Sequence, residues 1–230
     1  MNAPLEPDSW PAALDSGGFE PEEPRNSPRA PFALLLAVEA CSHAAMAMTQ
    51  VTLPWFVLTQ SNDATLMGLV MLVLFAPAFV GSWIGGVWID RYGAPRISML
   101  SELISAATMT LLAALAIGAQ LSTPLLVVLL LVLALVDPAG FIAREALTPV
   151  LARLARLPLA RANALREGTT QITRVAAPLL AGTIITTVGM TSAWVAIAVA
   201  AVGAAVFNGT LLWQRAWRAL KASGAAVLRD

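Results

Sequence analysis

The chain has 230 residues, 58% of them hydrophobic and only 12% charged, with a formal net charge of zero and a mean hydropathy of +0.74. Soluble domains carry about 25% charged residues, so this composition excludes an ordinary water-soluble fold. The single cysteine, Cys41, excludes an internal disulfide framework and a cysteine-rich metal site.

Length here counts membrane spans, because a helix needs about 20 apolar residues to cross about 30 Å of hydrocarbon. Residues 1–30 carry Pro4, Pro7, Pro11, Pro21, Pro24 and Pro28 with six acids before the first base, Arg25. Such a stretch cannot bury a core, so a disordered cytoplasmic tail is expected. It lacks the basic start and short apolar core of a cleavable signal, and its acids do not suit nucleic acid. Six apolar runs follow, near 31–58, 66–89, 97–119, 124–143, 168–188 and 191–213. The first meets Pro54 near its far end, and Ser61-Asn62-Asp63 reads as a short turn. Between the fourth and fifth runs, Leu-Ala-Arg-Leu-Ala-Arg-Leu at 151–157 suits an amphipathic helix on the membrane surface. Residues 214–230 are expected to form a cytoplasmic tail or part of a central linker.

The 14 Lys and Arg residues are not scattered. The tail before run 1, the 2–3 and 4–5 connections and the stretch after run 6 hold all but Arg174. The connections between runs 1 and 2, 3 and 4, and 5 and 6 hold none. Positive loops stay in the cytoplasm. The expectation is a six-helix, all-α, multi-pass protein of the cytoplasmic (inner) membrane with both termini inside.

The 2–3 connection reads Gly86-x-x-x-Asp90-Arg91-x-Gly93-x-x-Arg96. Gly86 allows close helix approach, Gly93 allows positive φ, and Asp90 can accept bonds from Arg91, Arg96 or a helix N-terminus. In this position, after the second of six spans, the pattern resembles the cytoplasmic motif of the major facilitator superfamily. The 4–5 region, with Ala143-Arg144-Glu145-Ala146-Leu147-Thr148-Pro149 and Gln171-Ile172-Thr173-Arg174, resembles that of bacterial drug- and siderophore-exporter-like members. The resemblance covers roughly residues 31–213. It implies one half of a fold built as a 3+3 inverted repeat, with an inner gate at Gly86, Asp90, Arg91, Gly93 and Arg96. Antiporters of the family carry Gly-Pro-x-x-Gly-Gly in span five. This chain has Ala177-Pro178-Leu179-Leu180-Ala181-Gly182, which departs from that antiport element. Family members have two similar halves with the substrate site between them. The resemblance therefore implies a second six-helix half or a homodimer as partner. Gly81-x-x-x-Gly85 offers a small-residue contact, either with a partner helix or within the bundle.

Ionisable residues inside a membrane are costly and mark paired or functional sites. Glu39, Glu102, Asp137 and Arg174 lie within the runs at similar depth, so three acids are expected to share one base. That cluster is either a static closure or part of the transport machinery. Glu39, His43 and Gln50 share a helical face at i, i+4 and i+11. The first span lines the central cavity in the family, so this stripe is a candidate path for substrate or protons. His43 is either a packing residue or, one turn from Glu39, a proton partner.

No phosphate loop, metal cluster or nucleophilic triad is present in the sequence, so no enzymatic activity and no cofactor are expected. The expected function is proton-coupled export of a small amphipathic molecule across the bilayer by alternating access. The competing reading is a membrane protein that does not transport, as a remnant or a helical partner subunit.

Overall fold

The computed structural model describes residues 29–227, apart from the side chains of residues 74–76 and those beyond 212. The expected N-terminal tail lies outside the described residues. Six helices follow one another: α1 (Ala30–Ser61), α2 (Ala64–Tyr92), α3 (Ala94–Ile117), α4 (Thr123–Leu154), α5 (Leu159–Thr187) and α6 (Met190–Val227).

Local chemistry sets the joints. Pro31, Pro95 and Pro124 sit in the first turns of α1, α3 and α4, where a missing N–H costs nothing. Asn62 closes α1 in the left-handed conformation at φ 52°. The Asp63 carboxylate then caps α2 by accepting from the backbone N–H of Thr65 at 2.7 Å and of Leu66 at 3.3 Å. Gly93 joins α2 to α3 at φ 85°, a conformation that favours glycine, as its place in the motif predicts.

The packing has a hidden regularity. α1 lies against α5 and α6, α4 lies against α2 and α3, and α3 meets α6. Exchanging α1 with α4, α2 with α5 and α3 with α6 maps this pattern onto itself. Two three-helix units thus make the bundle, and α1 and α4, one from each, touch only sparsely. Small residues set the closest approaches. A side chain on Gly81 would strike the Leu135 backbone, and one on Gly85 would sit 2.7 Å from the Ala139 Cβ. The Gly81-x-x-x-Gly85 surface is therefore used inside the bundle, against α4, and does not present itself to a partner helix.

Three features depart from the sequence expectation. First, α4 does not stop at residue 143 but continues to Leu154, so the basic 4–5 stretch holds no separate surface helix. Leu151–Leu154 completes α4, a turn through Arg156 at φ 54° follows, and Pro158 starts α5. Second, α6 runs on as helix to Val227, past the end of the sixth apolar run at 213. Third, among the described residues five helices are long and apolar enough to cross a membrane, and α5 is not one of them. Arg161, Arg166, Glu167 and Arg174 lower its hydropathy. Yet α5 traverses the bundle. Ala162 near its start packs with Phe32, Leu151 and Leu211, and Ala181 near its end packs with Phe56 and Trp194 at the opposite end. Tertiary packing carries this helix where hydropathy alone does not.

Candidate functional site

The sparse α1–α4 contact has two levels. Toward the end where α1 starts, charged side chains bridge it; further along, it opens into a cavity.

Glu39 is the hub of the charged level. Its carboxylate is fully buried on α1. Arg166 from α5 donates to its Oε1 at 2.8 Å, and the Arg144 Nε from α4 lies 3.6 Å from the same oxygen. The His43 Nε2 stands 3.2 Å from Oε2, one turn along α1. Arg144 is 1% exposed and pairs with Glu102 of α3 while donating to the Ser42 hydroxyl at 3.2 Å. The Phe141 ring lies under the Arg144 guanidinium at 4.7 Å and against the His43 ring at 4.8 Å. Arg166 also reaches Glu145 at 3.7 Å. Four helices are thus tied by two carboxylates and two guanidiniums at the core of the network.

This corrects the expected arrangement. Arg174 is exposed on α5 and makes no ion pair among the described residues. The bases that meet Glu39 and Glu102 are Arg144 and Arg166, both assigned from sequence to a loop. Helical phase holds the signal: Asp137, Phe141, Arg144 and Thr148 recur at i, i+4, i+7 and i+11, so a helix extended past 143 carries Arg144 on the face of Asp137. Asp137 itself does not join the network. It accepts a hydrogen bond from Ser105 of α3 and has no cation within ion-pair distance among the described residues.

The cavity measures about 270 Å³ and lies between α1, α2, α3 and α4. Asp137 and Gln50 supply polar groups; Met46, Met71, Met109 and Phe141 are among its apolar walls. The α1 stripe is therefore split, with Glu39 and His43 in the network and Gln50 at the cavity. The stacked His43–Phe141 pair is the physical link between the two levels.

The 2–3 motif stands apart from both. Asp90, Arg91 and Arg96 are exposed, and Asp90 has no hydrogen-bond or ion-pair partner among the described residues. Arg91 lies over the ring of Tyr92 at 5.5 Å instead. Gly86 faces open space, so the close approach its motif implies does not occur within these six helices.

A family model, Major Facilitator Superfamily, matches residues 35–225, nearly all of the described chain. The chain belongs to the major facilitator superfamily. It is a multi-pass membrane protein of a transporter family. It is 32% identical over 174 residues to "Multidrug efflux pump Tap" of Mycolicibacterium fortuitum, covering 74% of this chain and 42% of that protein. It is 29% identical over 175 residues to the protein of the same name in Mycobacterium tuberculosis strain H37Rv, with the same coverage. The chain thus spans less than half the length of these efflux pumps.

Major facilitator membership gives the open motif face and the polar α5 face a physical context. Exposed Glu167, Gln171 and Arg174 cannot rest against hydrocarbon at modest cost. Such a face requires water or protein beside it.

Proposed function

We propose that this chain is one half of a secondary active exporter of a small amphipathic molecule. Protons drive it as an antiporter, and it works by alternating access against a second six-helix half. That second half is either further polypeptide, a separate chain or another copy. The proposal sets it in the cytoplasmic membrane with both termini inside, because the basic loops lie on one side. Asp90, Arg91, Arg96 and Gly86 then form the inner gate against that half, consistent with Asp90 having no polar partner among the described residues and Gly86 facing open space.

The observation that carries this reading is Glu39. A buried carboxylate meets His43 and two arginines beside a cavity-lining aromatic, in a chain similar to efflux pumps. A carboxylate that exchanges partners as it gains or loses a proton couples protonation to the grip between α1, α4 and α5. Gln50, Asp137 and Arg174 extend the same path on the cavity and α5 faces.

The test is transport in proteoliposomes holding the assembled two-half transporter. Glu39→Gln should abolish substrate accumulation driven by a pH gradient and retain passive exchange. His43→Phe should impair the gradient-driven step more than exchange. Full gradient-driven transport by Glu39→Gln at normal protein level would reject Glu39 as the coupling group.

A further inference from the structure

We infer that the acidic N-terminal tail, residues 1–28, docks on the basic joint between α4 and α5 of the same chain. The inference needs neither the transport reading nor a particular orientation in the membrane.

The surface is strongly one-sided in charge. Between Glu145 and Arg166 the chain holds Arg153, Arg156 and Arg161 and no acid. All three are exposed, and none makes an ion pair among the described residues. Val150, Leu154 and Leu159 are exposed among them. The turn at Arg156 packs Ala155 and Ala162 into one cluster, so the three arginines share one tip of the bundle. Like charges held together repel one another, and an anionic partner relieves that repulsion.

Chain geometry selects the partner. α1 begins at Ala30, and Phe32 in its first turn is buried with Leu151, Ala155 and Ala162 of this joint. The tail therefore leaves the bundle beside the arginines. It carries Glu6, Asp8, Asp15, Glu20, Glu22 and Glu23 against a single base, Arg25. Glu20, Glu22 and Glu23 lie seven to ten residues before Ala30. A chain of that length reaches at most about 25–35 Å, the width of two or three helices. Trp10, Leu14 and Phe19 interleave with the tail's acids as Val150, Leu154 and Leu159 interleave with the arginines. Both surfaces thus alternate charge with apolar bulk, and the charges are opposite. Anionic lipid headgroups also carry negative charge. The tail, however, presents its acids on one tethered chain, which raises their effective concentration at the joint. Exposed ion pairs are individually weak, so the contact depends on several acting together, and salt should release it. Docked there, the tail covers the end of the bundle nearest the Glu39 network.

Cross-linking in the full 230-residue chain provides the test, with one copy in each phosphatidylcholine nanodisc. Ser16→Cys in the tail and Ala160→Cys at an exposed position on α5 are combined in a Cys41→Ala background. A short bis-maleimide joins the two cysteines, and the rate of joining is measured. Glu20→Gln/Glu22→Gln/Glu23→Gln gives the rate for a tail that is tethered but not docked. The native tail should cross-link about fivefold faster at low salt, the effect of a few exposed pairs together. Arg153→Gln/Arg156→Gln/Arg161→Gln should return the native tail to that baseline, and so should about 0.5 M sodium chloride. Equal rates for the native and neutralised tails overturn the proposal. So does an unchanged rate in the arginine variant, because the tail then docks elsewhere. Discs with about 30% phosphatidylglycerol should preserve the difference between native and neutralised tails. Its loss there would make lipid headgroups the occupant and reject the tail.

Discussion

The rings of His43 on α1 and Phe141 on α4 stack at 4.8 Å with an interplanar angle of 17°. α1 and α4 otherwise touch little, so this pair is a main direct contact between those two helices. Phe141 also carries Arg144 at 4.7 Å and lines the cavity. A change in the network is therefore felt at the cavity wall through one side chain.

That bridge predicts measurable coupling. In a double-mutant cycle of His43→Ala and Phe141→Ala, the interaction should amount to about 1 kcal/mol, as for other aromatic pairs. Unfolding of the purified chain in mixed micelles provides the readout. Additive effects would mean that the rings are neighbours without energetic contact.

Arg144 should be the most sensitive charged position. Arg144→Gln leaves Glu39 and Glu102 buried with one base fewer and should destabilise by about 3 kcal/mol. The double variant Arg144→Gln/Glu102→Gln should recover part of that loss, because the orphaned carboxylate is gone. Thermal unfolding of the three variants separates this from a simple packing defect, for which the second change would add to the damage.

The glycines divide into those used within the bundle and those that face away from it. Gly81→Ala should cost about 1–3 kcal/mol by pushing α2 off the Leu135 backbone. Gly86→Ala meets open space and should stay within about 0.5 kcal/mol in the 230-residue chain. If Gly86→Ala proved the more damaging in this chain, its motif role would lie inside this half.

Orientation can be read by cysteine labelling in intact cells, in a Cys41→Ala background. Single cysteines at Gln60, Gln120 and Val188 should react with an impermeant thiol reagent, and Arg156→Cys should not. Val188 is the better probe at the α5–α6 joint because Gly189 holds φ 109°, which a cysteine would strain. External labelling of Arg156→Cys would invert the proposed topology.

Much of the architecture was legible in the residues. Apolar runs of spanning length read out the spans of α1, α2, α3 and α6 directly, since a bilayer admits only helices or closed barrels. Gly93 announced its turn because only its backbone tolerates that φ cheaply, and Gly86 to Arg96 carried the family resemblance. Local signals end where hydropathy and phase diverge. The far end of α4 is basic, so residues 144–154 read as loop, while packing of Leu147 and Leu151 against Phe32 and Leu35 keeps them helical. α5 registered as an apolar run only from 168 to 188; its polar start at 159–167 is held as helix by Ala162 buried against Phe32, Leu151 and Leu211. Which base meets which acid was likewise beyond the one-dimensional pattern. Depth along a helix says that charges are level, but rotation of each helix decides which face turns inward. That rotation sent Arg174 outward, brought Arg144 and Arg166 to Glu39, and left Asp137 with a hydroxyl and an open cavity.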